Sequence, residues 1–381
     1  MPLAIYALMA VNFAIGTQTF VFAGLIADLA ADLQVPLGSA GLLIAAGSVT
    51  FAIGAPLAAI AVFKQERRRV MLIGLGVLAL SNLAATIAPD FWSLLSLRII
   101  GGAGTAFAGS LVTVSVAALV PPEKRGQAFA LVVGGLTVAF ILGIPAGTAI
   151  GGYYGWRSTF GFGACVIAGA IALVVLLVPR LPPEPAERPD LTSAFSQRAV
   201  NRYLAMTFVG FVSLFTIMAY QGPVITHATG ITGSGIGSFQ LFIGIGSIVG
   251  LAVGGRLASR NLTTGGIRAV FGLLALAATG FWAILSAPSG SSPAIFLAAL
   301  IFLGSAAIFT LVPMTLTRLS AIAGALLPVV LPLNGSLVAL GQGVGAGFGA
   351  LLTETFGFSS IGIGGLIVGI IGLRLSFSRS Q

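Results

Sequence analysis

From its third residue almost to its last, the chain repeats one pattern: an apolar run, a short polar turn, then another apolar run. About 20 apolar residues in helical form cross the hydrocarbon core of a bilayer. Twelve runs of roughly that length can be marked out, over residues 3–27, 40–63, 70–88, 91–120, 134–157, 159–178, 203–220, 235–257, 269–286, 294–316, 326–352 and 361–375. Only 7% of the 381 residues are charged, too few to solvate the surface of a soluble protein of this size. The 53 glycines suit helix–helix contact in lipid, where small side chains admit a close neighbour. The sequence predicts an all-α membrane protein that crosses the bilayer many times.

The net charge of +9 does not point to nucleic acid, because no polar folded face is available to collect it into a patch. It is spread over turns of one parity instead. Of the 18 Lys and Arg residues, all but Arg98 and Arg157 fall at the N-terminal side of odd-numbered spans, after even-numbered ones, or in the C-terminal tail. The positive-inside rule then puts both termini and the central loop in the cytoplasm. The first run lacks a positive leader and is too long for a signal h-region, so it reads as span one. The single Cys165 excludes an intramolecular disulfide.

One internal boundary stands out: residues 179–202 are polar and Pro-rich. The expected domains are a six-helix bundle over 1–178, a cytoplasmic linker over 179–200 and a second six-helix bundle over 201–381. The two halves look related. Gly54 to Ala58 in span two matches Gly254 to Ala258 in span eight, and Gly143 and Gly147 in span five match Gly345 and Gly349 in span eleven. Two matches in corresponding spans favour a parallel repeat of six-helix units.

The span-five stretch is the most constrained. Gly143, Pro145, Gly147, Gly151 and Gly152 form a ladder that ends at the interfacial residues Tyr153, Tyr154, Trp156 and Arg157. Glycines four apart bare one helix face, and a proline invites a kink. The ladder serves either plain close packing or bending between moving halves.

These residues resemble the major facilitator superfamily, in particular its drug:proton antiporter and arabinose-efflux-like branch, over the whole chain. Gly143 to Gly147 is similar to the branch's span-five antiporter motif, with Ile144 where a glycine is common. Leu97 to Gly104, containing Arg98, Gly102 and Gly104, resembles the family's span-four Arg-x-x-x-Gly-x-Gly pattern. The loop after span two departs from the family. Phe63 to Arg68 keeps the basic end of the usual Asp-Arg-x-Gly-Arg-Arg pattern but lacks its Asp and Gly, so a gate latched through that Asp is not expected unless Glu66 replaces it. The resemblance implies twelve transmembrane helices in two pseudo-symmetric six-helix bundles around a central cavity.

No carboxylate falls in mid-span. Proton coupling needs a titratable group exposed alternately to both sides, and Asp28, with Asp32 behind it, is the candidate; the competing reading is an interfacial cap. Arg98 lies six residues past Trp92, about 9 Å deep at ~1.5 Å per residue. It serves as structural anchorage, as a binder of a polar or anionic substrate, or as a responder to a proton through a hydrogen-bond network, with Gln18 or Thr19 as partner. By analogy with the family, Gln18, Thr19, Arg98, Thr105, Thr216, Tyr220 and Thr310 are expected to line the cavity, with Asn334 nearby. His227, placed in the loop after span seven, has no second ligand near it, and no P-loop or hydrolase motif occurs. No metal, cofactor or enzymatic activity is expected. The expected function is export of small organic molecules by a monomeric, proton-coupled transporter in a bacterial-type inner membrane. A uniporter for a neutral sugar or nucleoside is the alternative, and a non-transporting sensor or assembly protein is the alternative of another class.

Overall fold

The computed structural model describes residues 1–61, 65–181, 197–260 and 262–377, and these are almost wholly helical. Among the described residues, twelve helical spans are long and apolar enough to cross a membrane. Span one is Leu3–Phe20 followed, after a break, by Ile26–Asp32. Spans two, three and four are Leu37–Ala61, Arg67–Ala85 and Phe91–Leu119. Span five joins Pro122–Val138 to Ile144–Tyr154 through a π-helical turn, Ala139–Gly143, and span six is Arg157–Leu177. Span seven is Arg198–Met218 and, after a second break, Gln221–Thr229. Spans eight to twelve are Ile236–Ser259, Thr263–Ser286, Ala294–Ile322, Leu327–Phe356 and Ser360–Phe377. Lys64 and most of the expected linker lie outside the described residues.

Three expectations need correction. Span five starts at Pro122, about a dozen residues before the apolar run, so Lys124 and Arg125 sit in its first turn. Proline suits that position, since its missing N–H is unpaired there anyway. His227 belongs to a helix and not to a loop, because span seven restarts after its break. Span one is broken where a continuous helix was expected.

Each half repeats the same close packing. An added Cβ at Gly143, Gly147 or Gly151 would fall about 2 Å from Thr17, Val21 or Leu25, so span one lies directly on the span-five ladder. Gly341, Gly345 and Gly349 of span eleven meet Phe211, Val212 and Thr216 of span seven in the same way. Helices one and seven thus occupy equivalent places in two pseudo-symmetric bundles. In span four, Gly102 faces the backbone of span two at Gly47 and Gly104 faces span three at Gly74.

The apolar core is asymmetric along the spans. At the end away from the chain termini, one core runs through both bundles, joining Phe22, Leu25, Leu43 and Phe160 to Tyr220, Phe239, Phe281 and Ile361; within the second bundle alone it continues to Ile267 and Met314 near the terminal end. At the terminal end the first bundle keeps a core of its own around Leu8, Met71, Val116 and Val174. The second bundle has a separate small core there, with Val200, Leu204, Leu319 and Val330. The bundles are therefore cemented at the far end.

Candidate functional site: the inter-bundle cavity and its far-end closure

The site begins with the two helix breaks. A break strips carbonyls of their helical N–H partners, a cost that the membrane interior does not offset with water. In span one the missing donors come from Arg98. Its Nη1 lies 3.5 Å from Gln18 O and 3.2 Å from Gln18 Oε1, its Nη2 donates to Thr19 O at 3.3 Å, and its Nε to Leu43 O at 3.3 Å. The guanidinium also stands 4.8 Å from the Phe22 ring centroid. A cation at a helix C-terminus opposes the helix dipole favourably. Gly47 leaves the space for this side chain, which is only 5% exposed. Arg98 is thus a buried cap on the broken helix, and its recorded partners are neutral oxygens.

Gln18 extends that network, donating through Nε2 to Thr19 Oγ1 at 3.2 Å and to Thr105 Oγ1 at 3.4 Å. Thr105 in turn donates to Gly101 O and Thr19 to Ile15 O, as helical threonines commonly do.

Between the bundles lies a cavity of about 30 Å³, room for two or three waters at ~10–15 Å³ each. The first bundle supplies Phe20, Phe140 and Ile144; the second supplies Leu214, Phe215, Met218, Gln221, Gln240, Ile243, Ser305 and Phe309. Phe140 reaches it from the π-turn of span five, a distortion often found at functional positions. The rings make one aromatic chain, with centroid separations of 6.2 Å for Phe20–Phe140, 5.3 Å for Phe20–Phe215 and 5.5 Å for Phe140–Phe309. None of the lining residues is ionisable.

The expected cavity residues divide. Gln18, Thr19, Arg98 and Thr105 cluster within the first bundle and none of them lines the cavity. Thr216 is fully buried, bonded to Val212 O and packed toward Gly364 of span twelve. Thr310 bridges to Gly250 O of span eight at 3.1 Å. Asn334 is buried in span eleven with its Oδ1 unpaired among the described residues. Asp28 is exposed in the first turn of Ile26–Asp32, and not in the cavity. Asp32 is held by Trp156 Nε1 at 3.1 Å and by an ion pair to Arg157, which also donates to Ala88 O.

Tyr220 closes the far end instead of lining the cavity. Fully buried at the span-seven break, it donates to Ala346 O at 3.0 Å and lies 3.4 Å from Gly38 O of the opposite bundle. Gly41 and Gly349 make room for its ring. Beside it Ser39 donates to Glu354 Oε1 at 2.8 Å, and Gly24 meets Gly222 where the two broken helices cross. Pro145 faces Gly237, and Gly152 faces Gly233 and Ser234, across spans five and eight. Glu66 bridges no bundles. It caps span three, accepting from Arg68 N–H and Arg69 N–H, and also accepts from Leu181 N–H, which secures the start of the linker.

Gln221, Gln240, Ser305 and the four phenylalanines were not among the residues expected to line the cavity. The Ala-Tyr-Gln-Gly-Pro stretch from Ala219 to Pro223 is a breaker inside an apolar run and was the available signal for Gln221.

The family model of the Major Facilitator Superfamily matches residues 8–330. A chloramphenicol resistance protein of Streptomyces lividans is 30% identical over 361 residues, 93% of this chain and 89% of that protein. A probable sugar efflux transporter of Pasteurella multocida is 28% identical over 371 residues, covering 96% and 89%. Among solved structures, a bacterial homologue of the human lysosomal transporter Spinster, inward-facing and unoccupied, superposes with a TM-score of 0.79 at 14% identity. It covers 98% of this chain and 95% of that one.

Proposed function

Since the chain belongs to the major facilitator superfamily of membrane transporters, we propose that it exports small organic molecules from a bacterial cell in exchange for protons. The observation that carries this reading is the asymmetric core, continuous across both bundles at the far end and divided at the terminal end. A protein closed on one side and divided on the other is one stage of an alternating-access cycle. The bodies that rock are the bundles 1–178 and 201–381. The positive-inside rule makes the terminal end cytoplasmic, so this stage takes substrate from inside. The relatives named for chloramphenicol resistance and sugar efflux support export. A monomer in the inner membrane suffices, because the cavity is built within one chain.

One observation favours a second reading, a uniporter: no ionisable side chain lines the cavity. The test is proton release from acid-loaded everted vesicles on addition of chloramphenicol, sugars or lipophilic cations, with Asp28→Asn in parallel. Dequenching by a substrate, lost in Asp28→Asn, supports antiport through that carboxylate. Counterflow of labelled substrate with no proton signal sinks the antiport and leaves the uniporter.

A further inference from the structure

The cavity contains a mismatch that the packing does not explain. Gln221, Gln240 and Ser305 all line it, with exposures of 5%, 1% and 1%. Oε1 of Gln221, both side-chain heteroatoms of Gln240 and Oγ of Ser305 have no hydrogen-bond partner among the described residues. Buried polar groups are nearly always paired, because leaving one unpaired forfeits its solvation for nothing. Buried hydroxyls elsewhere, Thr17 and Thr207 among them, are unpaired too, so what distinguishes these groups is that they share one cavity; Thr216 and Thr310, on the same spans, close on helix carbonyls. Ser305, in an equally regular helix, does not.

The three groups also have a placement in common. They come from spans seven, eight and ten of the second bundle, and they face phenylalanines from the first. Gln240 reaches furthest, its Nε2 lying 2.9 Å from where a side chain on Gly24 would begin, at the break in span one. A molecule bonded to Gln240 therefore sits against both bundles, and its departure changes the contact between them.

We propose that Gln221, Gln240 and Ser305 are the hydrogen-bonding end of the substrate site, and that they select an uncharged group carrying both a donor and an acceptor, an amide or a hydroxyl, attached to an aromatic body. The proposal rests on the transporter reading and names the substrate class of that same site. The donor–acceptor requirement follows from the unpaired atoms, which include acceptors on Gln221 and Gln240, a donor on Gln240 and a hydroxyl that is either. The uncharged requirement follows from a lining without a counter-charge, since a bare ion there would be desolvated without compensation. The aromatic body follows from the Phe20, Phe140, Phe215 and Phe309 rings, whose faces and edges stack on flat apolar groups. In this state the cavity holds only about 30 Å³, so the four rings must part for the aromatic body to stack among them.

The test is direct binding to the purified full chain in lipid nanodiscs by calorimetry, which requires no transport. The probes are chloramphenicol and a phenyl glucoside as neutral members, tetraphenylphosphonium as a cation and salicylate as an anion. Neutral probes bind to wild type and the ions do not. Gln240→Leu weakens the neutral probes about tenfold or more, as loss of a buried hydrogen bond requires, and Gln240→Asn recovers part of it. The same Gln240→Leu change leaves the melting temperature unchanged or raises it, because an apolar group replaces an unpaired polar one. A lower melting temperature with unaltered affinity would assign Gln240 to structure and overturn the proposal. So would tight binding of either ion, or failure of both neutral probes on a folded protein. Binding that follows the predicted pattern in a protein that moves nothing across vesicles would leave this site standing and defeat the transporter reading alone.

Discussion

At the scale of single residues, Arg98 shows how a buried charge is accommodated without a counter-ion. Four oxygen contacts on Gln18, Thr19 and Leu43 replace both the missing carboxylate and the missing helix donors. A planar fork is needed for that geometry, and a lysine ammonium cannot reproduce it. Arg98→Lys therefore keeps the charge and loses part of the cap. We expect a loss of about 2 kcal/mol, the scale of charged hydrogen bonds, read as a lower midpoint in detergent unfolding; an unchanged midpoint would remove Arg98 from this role. The pairing with Gln18 was legible in the sequence, because helical rise alone puts the two at similar depth. Tyr220 was not. It stands at the edge of an apolar run, and nothing in the sequence shows that Gly41 and Gly349, from two other spans, empty the volume it fills.

At the scale of helices, two kinds of contact divide the work. The span-five ladder fixes span one so closely that a single methyl is felt, since Gly147 has Val21 Cγ2 at 1.9 Å from the added position. Gly147→Ala should cost about 1–3 kcal/mol as overpacking, and the double variant with Val21→Ala should recover much of it. Failure of that rescue in thermal unfolding would show that the ladder is not packed as described. The second contact is polar. Burial works against the charge of Glu66, but the N–H groups of Leu181, Arg69 and Arg68 outweigh it and hold the carboxyl below its usual range. A depressed folded pKa means that its contribution is complete at neutral pH and is lost as pH falls through that lowered value. The Leu181 amide should therefore be well protected, relative to its intrinsic exchange rate, at neutral pH, less protected once Glu66 is protonated, and poorly protected at neutral pH in Glu66→Ala. Equal exchange in wild type and Glu66→Ala would refute the strap. Span number, repeat and span-five ladder could be read from apolar runs and glycine spacing. The span-seven break has a local signal in Gly222 and Pro223, but the break in span one has none, because Val21 and Phe22 are ordinary helix residues locally. The carbonyls of Gln18 and Thr19 just before that break are satisfied from a helix some 80 positions away.

At the scale of the whole molecule, the proposed cycle has one closed end and one divided end, exchanged as the bundles rock. The far-end closure is made of small residues and a few polar contacts: Tyr220 near Gly38, Ser39 to Glu354, and Gly24 against Gly222. Such a seal is tight yet separable, since breaking it exposes little charged surface. The most direct measurement is electron–electron distance by paired spin labels in a Cys165→Ala background. One pair sits at the far end, at Ile87 and Ser291, and the other at the terminal end, at Arg69 and Arg260, all exposed positions. Without substrate, the far-end pair should be in its short-distance state and the terminal pair in its long one. Saturating substrate should populate a longer far-end distance and a shorter terminal one together. Distances that stay fixed at both ends, or lengthen at both, would contradict alternating access.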